Sequence, residues 1–138
     1  MYETLTRHLV MLEDSEYGEW GPKEQKGDGT AERPFQMPYV TYDKTVHSLI
    51  QEVYNFSQEH PEYELTKYHQ ILEENGMEWG SASMEAFDVS NADGRCVMGL
   101  LMAAVRAERF CDGALLSLFK KNTIQRWLER LIEIDKEA

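Results

Sequence analysis

Cys96-Val97-Met98-Gly99-Leu100-Leu101-Met102-Ala103-Ala104-Val105-Arg106-Ala107-Glu108-Arg109-Phe110-Cys111-Asp112-Gly113 is the stretch on which the fold turns. It opens with ten uncharged residues in a chain that is 28% charged, then sets four charged residues into the next seven positions. Wound at about 100° per residue, its apolar side chains cover most of the circumference, and such a helix belongs in the middle of a bundle. The spacing predicts a buried central helix over about residues 91–112. Ser90-x-x-Asp93 would open it as a capping box with Asp in the usual Glu position, and Gly113 would close it. Gly99, Ala103 and Ala107 recur at every fourth position, a ridge of small residues that lets another helix approach closely.

Working outward, amphipathic helices flank this centre. Leu5, Leu9 and Leu12 suit a short first helix, and Val46, Leu49, Ile50, Val53 and Phe56 mark a longer one over about 43–59 that Pro61 stops. Leu65, Tyr68, Ile71 and Leu72 mark the next, with Gly76 as its C′ residue. Ser83 to Phe87 reads as a single helical turn, with Trp79 and Phe87 docked on the core. Beyond Gly113, Asp112 would cap a helix over 114–121, and Thr123 would cap a last one striped by Ile124, Trp127, Leu128, Leu131 and Ile134. Between Ser15 and Pro38 the periodicity breaks. Six glycines and prolines fall between Gly18 and Pro34, and Lys26-Gly27-Asp28-Gly29 reads as a turn between the anchors Trp20, Phe35, Met37 and Tyr39. A small β-hairpin or a long loop over 15–41 is expected there. The fold class is all-α: one domain over residues 1–138, five or six helices around a buried central one.

Composition excludes several classes. With 138 residues and 42% apolar content the chain can bury a core without staples, although mean hydropathy is −0.56. Net charge is −11 and unevenly spread: 4 basic and 8 acidic groups in residues 1–38, 2 and 10 in 39–91, 8 and 7 in 92–138. A negative field repels phosphate backbones, so nucleic acid is not an expected partner. No stretch reads as a signal peptide or a membrane span, and reduced, buried Cys96 and Cys111 fit a cytoplasmic protein.

The polar end of the central helix is the candidate site. Glu108 and Asp112 fall about 20° and about 60° from Val97 on the helical wheel, in line with Leu101, Ala104 and Val105. Arg106 and Arg109 leave that face. An ionised carboxylate on a buried face needs a partner, because an unpaired one costs several kcal/mol. Arg106, Arg109, Arg126 and Arg130 are candidates to supply it. The simplest reading is an ion-pair network fixing the helix junction, with Asp112 as an N-cap. A second makes the two arginines receptors for a carboxylate or phosphate. A third, acid–base chemistry at Glu108, lacks a nucleophile, a metal set or a phosphate loop to complete it. The four histidines stand in no metal-binding spacing; His69 and Glu73, at i and i+4, read as a surface pair. No dinucleotide, Walker or nucleophile-elbow motif is present, so no cofactor and no catalytic residue is expected.

Ala104-x-Arg106-x-Glu108-Arg109-Phe110-x-Asp112-Gly113 resembles a family of small, mainly bacterial proteins known only as a domain of unknown function. The likeness extends to Gly18-Glu19-Trp20, to Met37-Pro38-Tyr39-Val40 and to Ile124…Trp127-Leu128…Leu131. It implies a compact cytoplasmic protein and no particular activity. The expected function is a non-catalytic protein-interaction domain whose acidic helices over 43–75 meet a basic partner, with no membrane contact. The alternative is a small-molecule or phosphate-binding protein, enzyme included, with a site at Arg106, Glu108, Arg109 and Asp112 closed by Trp20 or Trp79. Partner, ligand and oligomeric state are not encoded in these patterns.

Overall fold

The structure is a computed structural model that describes residues 1–21 and 38–137. The turn expected at residues 26–29 and the anchors Phe35 and Met37 lie outside the described residues. Among the described residues helices dominate, and one two-stranded antiparallel pairing accompanies them.

The N-terminal helical segment divides into α1 (Glu3–Thr6) and α2 (His8–Leu12), which bury Leu5, His8 and Leu12. Its start is tied to the end of the chain, since the Tyr2 amide donates to Asp135 at 2.9 Å. β1 (Gly18–Gly21) pairs antiparallel with β2 (Tyr39–Tyr42), Gly18 facing Tyr42 and Trp20 facing Val40. Helix α3 (Lys44–Glu59) follows at once, because Asp43 accepts the Val46 amide at 3.0 Å and buries Val46, Leu49, Val53 and Phe56 behind it. Two 3-10 turns (Pro61–Tyr63 and Leu65–Lys67) lead into α4 (Tyr68–Glu74). Gly76 takes φ +79° just beyond it. Its amide bonds the Glu73 carbonyl while that of Met77 bonds Leu72, the paired closure of a Schellman motif. α5 (Ser81–Ala86) is longer than the expected single turn and buries Met84.

Helix α6 (Gly94–Ala107) is the centre, with every residue from Cys96 to Val105 buried. Both of its ends differ from expectation. Asp93, not Ser90, is the N-cap and accepts the Cys96 amide at 2.8 Å; Ser90 is held instead by Asp88. At the other end the helix unwinds after Ala107, whose carbonyl receives both the Phe110 and Cys111 amides. Asp112 is therefore exposed rather than core-facing, and so is Cys111, while Cys96 alone is the buried thiol. The small-residue ridge does meet a helix: a Cβ added to Gly99 would lie 2.7 Å from Ile71 of α4. α7 (Ala114–Lys120) and α8 (Thr123–Glu137) complete the bundle, the latter burying Ile124, Trp127, Leu128 and Leu131. Thr123 is the first helical residue of α8. Asn122, at φ +64°, precedes it and accepts the Arg126 amide.

Candidate functional site

The junction between α6 and α7 is built around Glu108. Helix α7 has seven residues and follows an N-cap, Gly113, that has no side chain to cap it, yet its first amides must find acceptors. Glu108 supplies two of them. Its Oε2 accepts the Gly113 amide at 3.0 Å, and its Oε1 accepts the Leu115 amide at 2.9 Å. The Tyr42 hydroxyl donates to the same Oε1 at 2.6 Å and accepts the Leu116 amide at 3.0 Å. The remaining Ala114 amide bonds the Cys111 carbonyl at 3.1 Å. Every free donor of the first turn of α7 is thus satisfied, by acceptors on three residues outside the helix, Glu108, Tyr42 and Cys111. A carboxylate set at a helix N-terminus also meets the positive end of its dipole.

This corrects the expected ion-pair network. Among the described residues Glu108 pairs with no arginine. Arg126 reaches the Glu85 carbonyl, and Arg130 reaches the Ala92 carbonyl, Glu133 and Glu137. Nor does Asp112 cap α7, because Glu108 and Tyr42 do. Burial first, then the hydrogen bond to Glu108, pushes the Tyr42 phenol well above its ordinary value, so it stays a neutral donor. Glu108 accepts three hydrogen bonds here and the Tyr42 hydroxyl donates one and accepts one, so both side chains are committed to the junction.

The hairpin locks the arrangement from one side. Gly113 has φ +90°, and a Cβ there would run into the Trp20 ring, so glycine is needed both for the backbone and for the close approach of β1. Trp20 keeps its outer side 49% exposed. Trp79, expected on the core, is 38% exposed and lies in a surface aromatic row. Its ring meets His69 at 4.8 Å and Phe110 edge-on at 5.9 Å. Phe110 itself is 75% exposed. Of the six candidate residues, the structure thus joins Glu108 to the hairpin that carries Trp20, and Trp79 to the Phe110 next to Arg109; Asp112 stands apart in solvent.

The arginines occupy a different seat. The Arg106 and Arg109 guanidinium carbons lie 5.9 Å and 6.0 Å from the centre of the Tyr54 ring of α3. Neither forms an ion pair among the described residues. Arg106 Nε is buried without a hydrogen-bond partner. Among the described residues no three His, Cys, Asp or Glu side chains gather to hold a metal, and no helix is long and apolar enough to cross a membrane.

Sequence reasoning missed Tyr42 and Tyr54. The pattern shows that an inward-facing Glu108 needs a partner but does not name it. The partners are a phenol 66 residues away and backbone amides, which carry no sequence signal.

The class defined so far is a small helical bundle with a hairpin clamped on the junction of its central helix. The model of a family of unknown function, DUF6508, matches residues 4–137, nearly the whole chain, and the protein belongs to that family. Searches of curated proteins and of solved structures gave no significant match.

Proposed function

We propose that the protein is a non-catalytic interaction domain and that the outer face of the α6–α7 junction is its contact surface. The observation that carries this reading is Phe110, a large apolar ring 75% exposed at the tip of the junction and backed edge-on by Trp79. Exposed aromatics supported on a rigid element have the composition of interface anchors. The fate of Glu108 supports the same reading. The carboxylate best placed for acid–base work is spent on capping α7.

Net charge supports a partner with a basic surface. Charge of −11 speeds association with such a partner and adds less to affinity. Part of the acidic face of α3 and α4 is already neutralised within the chain, since Glu52 pairs with Arg7 and Glu74 with Arg95. Glu59 and Glu73 form no ion pair among the described residues and remain for steering. A free, exposed Cys111 fits a reducing, cytoplasmic compartment.

The test is recovery of partners on tagged protein from extract of the source cells. Phe110→Asp is expected to fold normally and to lose the bound proteins. Glu59→Lys with Glu73→Lys is expected to weaken their capture mainly at low salt. Equal recovery by wild type and Phe110→Asp would refute the assignment of this surface.

A further inference from the structure

We propose that Arg106 and Arg109, seated on Tyr54, form a binding site for a single oxyanion, a carboxylate or a phosphate. Two guanidinium groups that share one ring stand within about 12 Å of each other, and like charges so placed repel. Among the other described arginines, Arg7 pairs with Glu52, Arg95 with Glu74 and the Tyr63 carbonyl, and Arg130 with Glu133 and the Ala92 carbonyl, while Arg126, without a carboxylate, still bonds the Glu85 carbonyl and Thr123. Arg106 and Arg109 have no carboxylate among the described residues, in a protein with 25 of them. The nearest in sequence, Glu108, is turned away to α7.

The second observation is Arg106 Nε, a buried donor with no acceptor. Buried polar groups are almost always partnered, and a charged one left single points to an absent acceptor. The carboxyl end of the α6 dipole attracts Arg106, but a dipole gives this Nε no hydrogen bond. An anion bridging the two guanidinium groups would offset their charge, and Nε itself, which is closed to solvent, would reach an anion oxygen only with a shift of the partly exposed Arg106 side chain. A planar guanidinium suits carboxylate and phosphate alike, and the ring of Tyr54 holds both side chains in place. The site is independent of the Phe110 surface, so either stands without the other.

The test is a titration of the intact protein with inorganic phosphate and, separately, with acetate, each against sodium chloride at equal ionic strength. The side-chain Nε–H resonance of Arg106 and the thermal midpoint are read together. Phosphate, acetate or both are expected to move that resonance saturably and to raise the midpoint; at tenfold excess over Kd the folding equilibrium constant rises about elevenfold. Which anion acts separates a free phosphate ligand from a carboxylate brought by a side chain. Arg109→Gln, an exposed position, is expected to fold and to weaken the response at least tenfold, whereas Phe110→Ala leaves it intact. An Arg106 resonance that moves with neither anion, or moves equally in chloride or in Arg109→Gln, overturns the proposal.

Discussion

Replacing Glu108 by alanine removes three hydrogen bonds at once, from the Gly113 and Leu115 amides and from Tyr42. Hydrogen bonds to a charged group contribute about 1.5–3 kcal/mol each, and a buried donor left single costs about 1–3 kcal/mol. The three do not add fully. Glu108 is only half-buried, so water can re-solvate part of the gap, and contacts in one network are not additive. A loss of about 3–4 kcal/mol results, a large fraction of the 5–15 kcal/mol typical of a domain. In a chain of this size it lowers the thermal midpoint by roughly 10 °C. Glu108→Gln keeps the shape and one acceptor but turns an NH2 toward a donor, and about half the loss is expected. Denaturant or thermal unfolding followed by far-ultraviolet circular dichroism measures both. A Glu108→Ala protein within about 0.5 kcal/mol of wild type, the range of ordinary surface changes, would refute the capping role.

Alkaline pH probes the same network. The phenols of Tyr42 and of Tyr2 are held above their ordinary value of 10.0, by burial first and then by the hydrogen bonds to Glu108 and Tyr63 respectively. A raised folded pKa means that this stability is complete below pH 10 and drains away as pH rises through the folded value. Each tyrosine contributes a fall of up to about 1.4 kcal/mol per pH unit, and Tyr42→Phe should remove its share of the slope in denaturant melts at pH 9–11. Gly113→Ala meets both a left-handed backbone and the Trp20 ring, so a loss of about 2 kcal/mol and a red shift of Trp20 emission are expected; unchanged emission would separate the hairpin from the junction. Cys111 is exposed, whereas burial raises the Cys96 thiol to about 11. A thiol reagent at pH 8 should label one cysteine per native chain and two after denaturation.

The helices that pack by one face were legible because their periodicity and their stops coincide. Val46, Leu49, Val53 and Phe56 placed α3, and Gly76 marked the end of α4 with the positive φ it adopts. The ends of α6 were less legible, for a local reason at each. Ser90 and Asp93 are both good caps, and the choice fell to Asp93 because Asp88 holds Ser90. At the C-terminal end the wheel assumed an unbroken helix to residue 112. Ala107 accepts two amides as the helix winds down, and that step throws Phe110, Cys111 and Asp112 into solvent. The same change turned a candidate active carboxylate into a cap. Glu108 does face inward as the wheel required, but toward amides that chain folding brings to it and toward a tyrosine of the hairpin. Arg106 and Arg109 were legible as residues that leave the apolar face; their shared seat on Tyr54 depends on how α3 crosses α6.

Amide hydrogen exchange at the start of α7 tests most directly whether Glu108 and Tyr42 hold the junction together. Gly113, Leu115 and Leu116 should be protected in the wild type. Glu108→Ala should release Gly113 and Leu115, and Tyr42→Phe should release Leu116 first, with the core of α6 still protected in both. Amides of Gly113 and Leu115 that exchange at the rate of free peptide in the wild type would contradict the capping assignment outright.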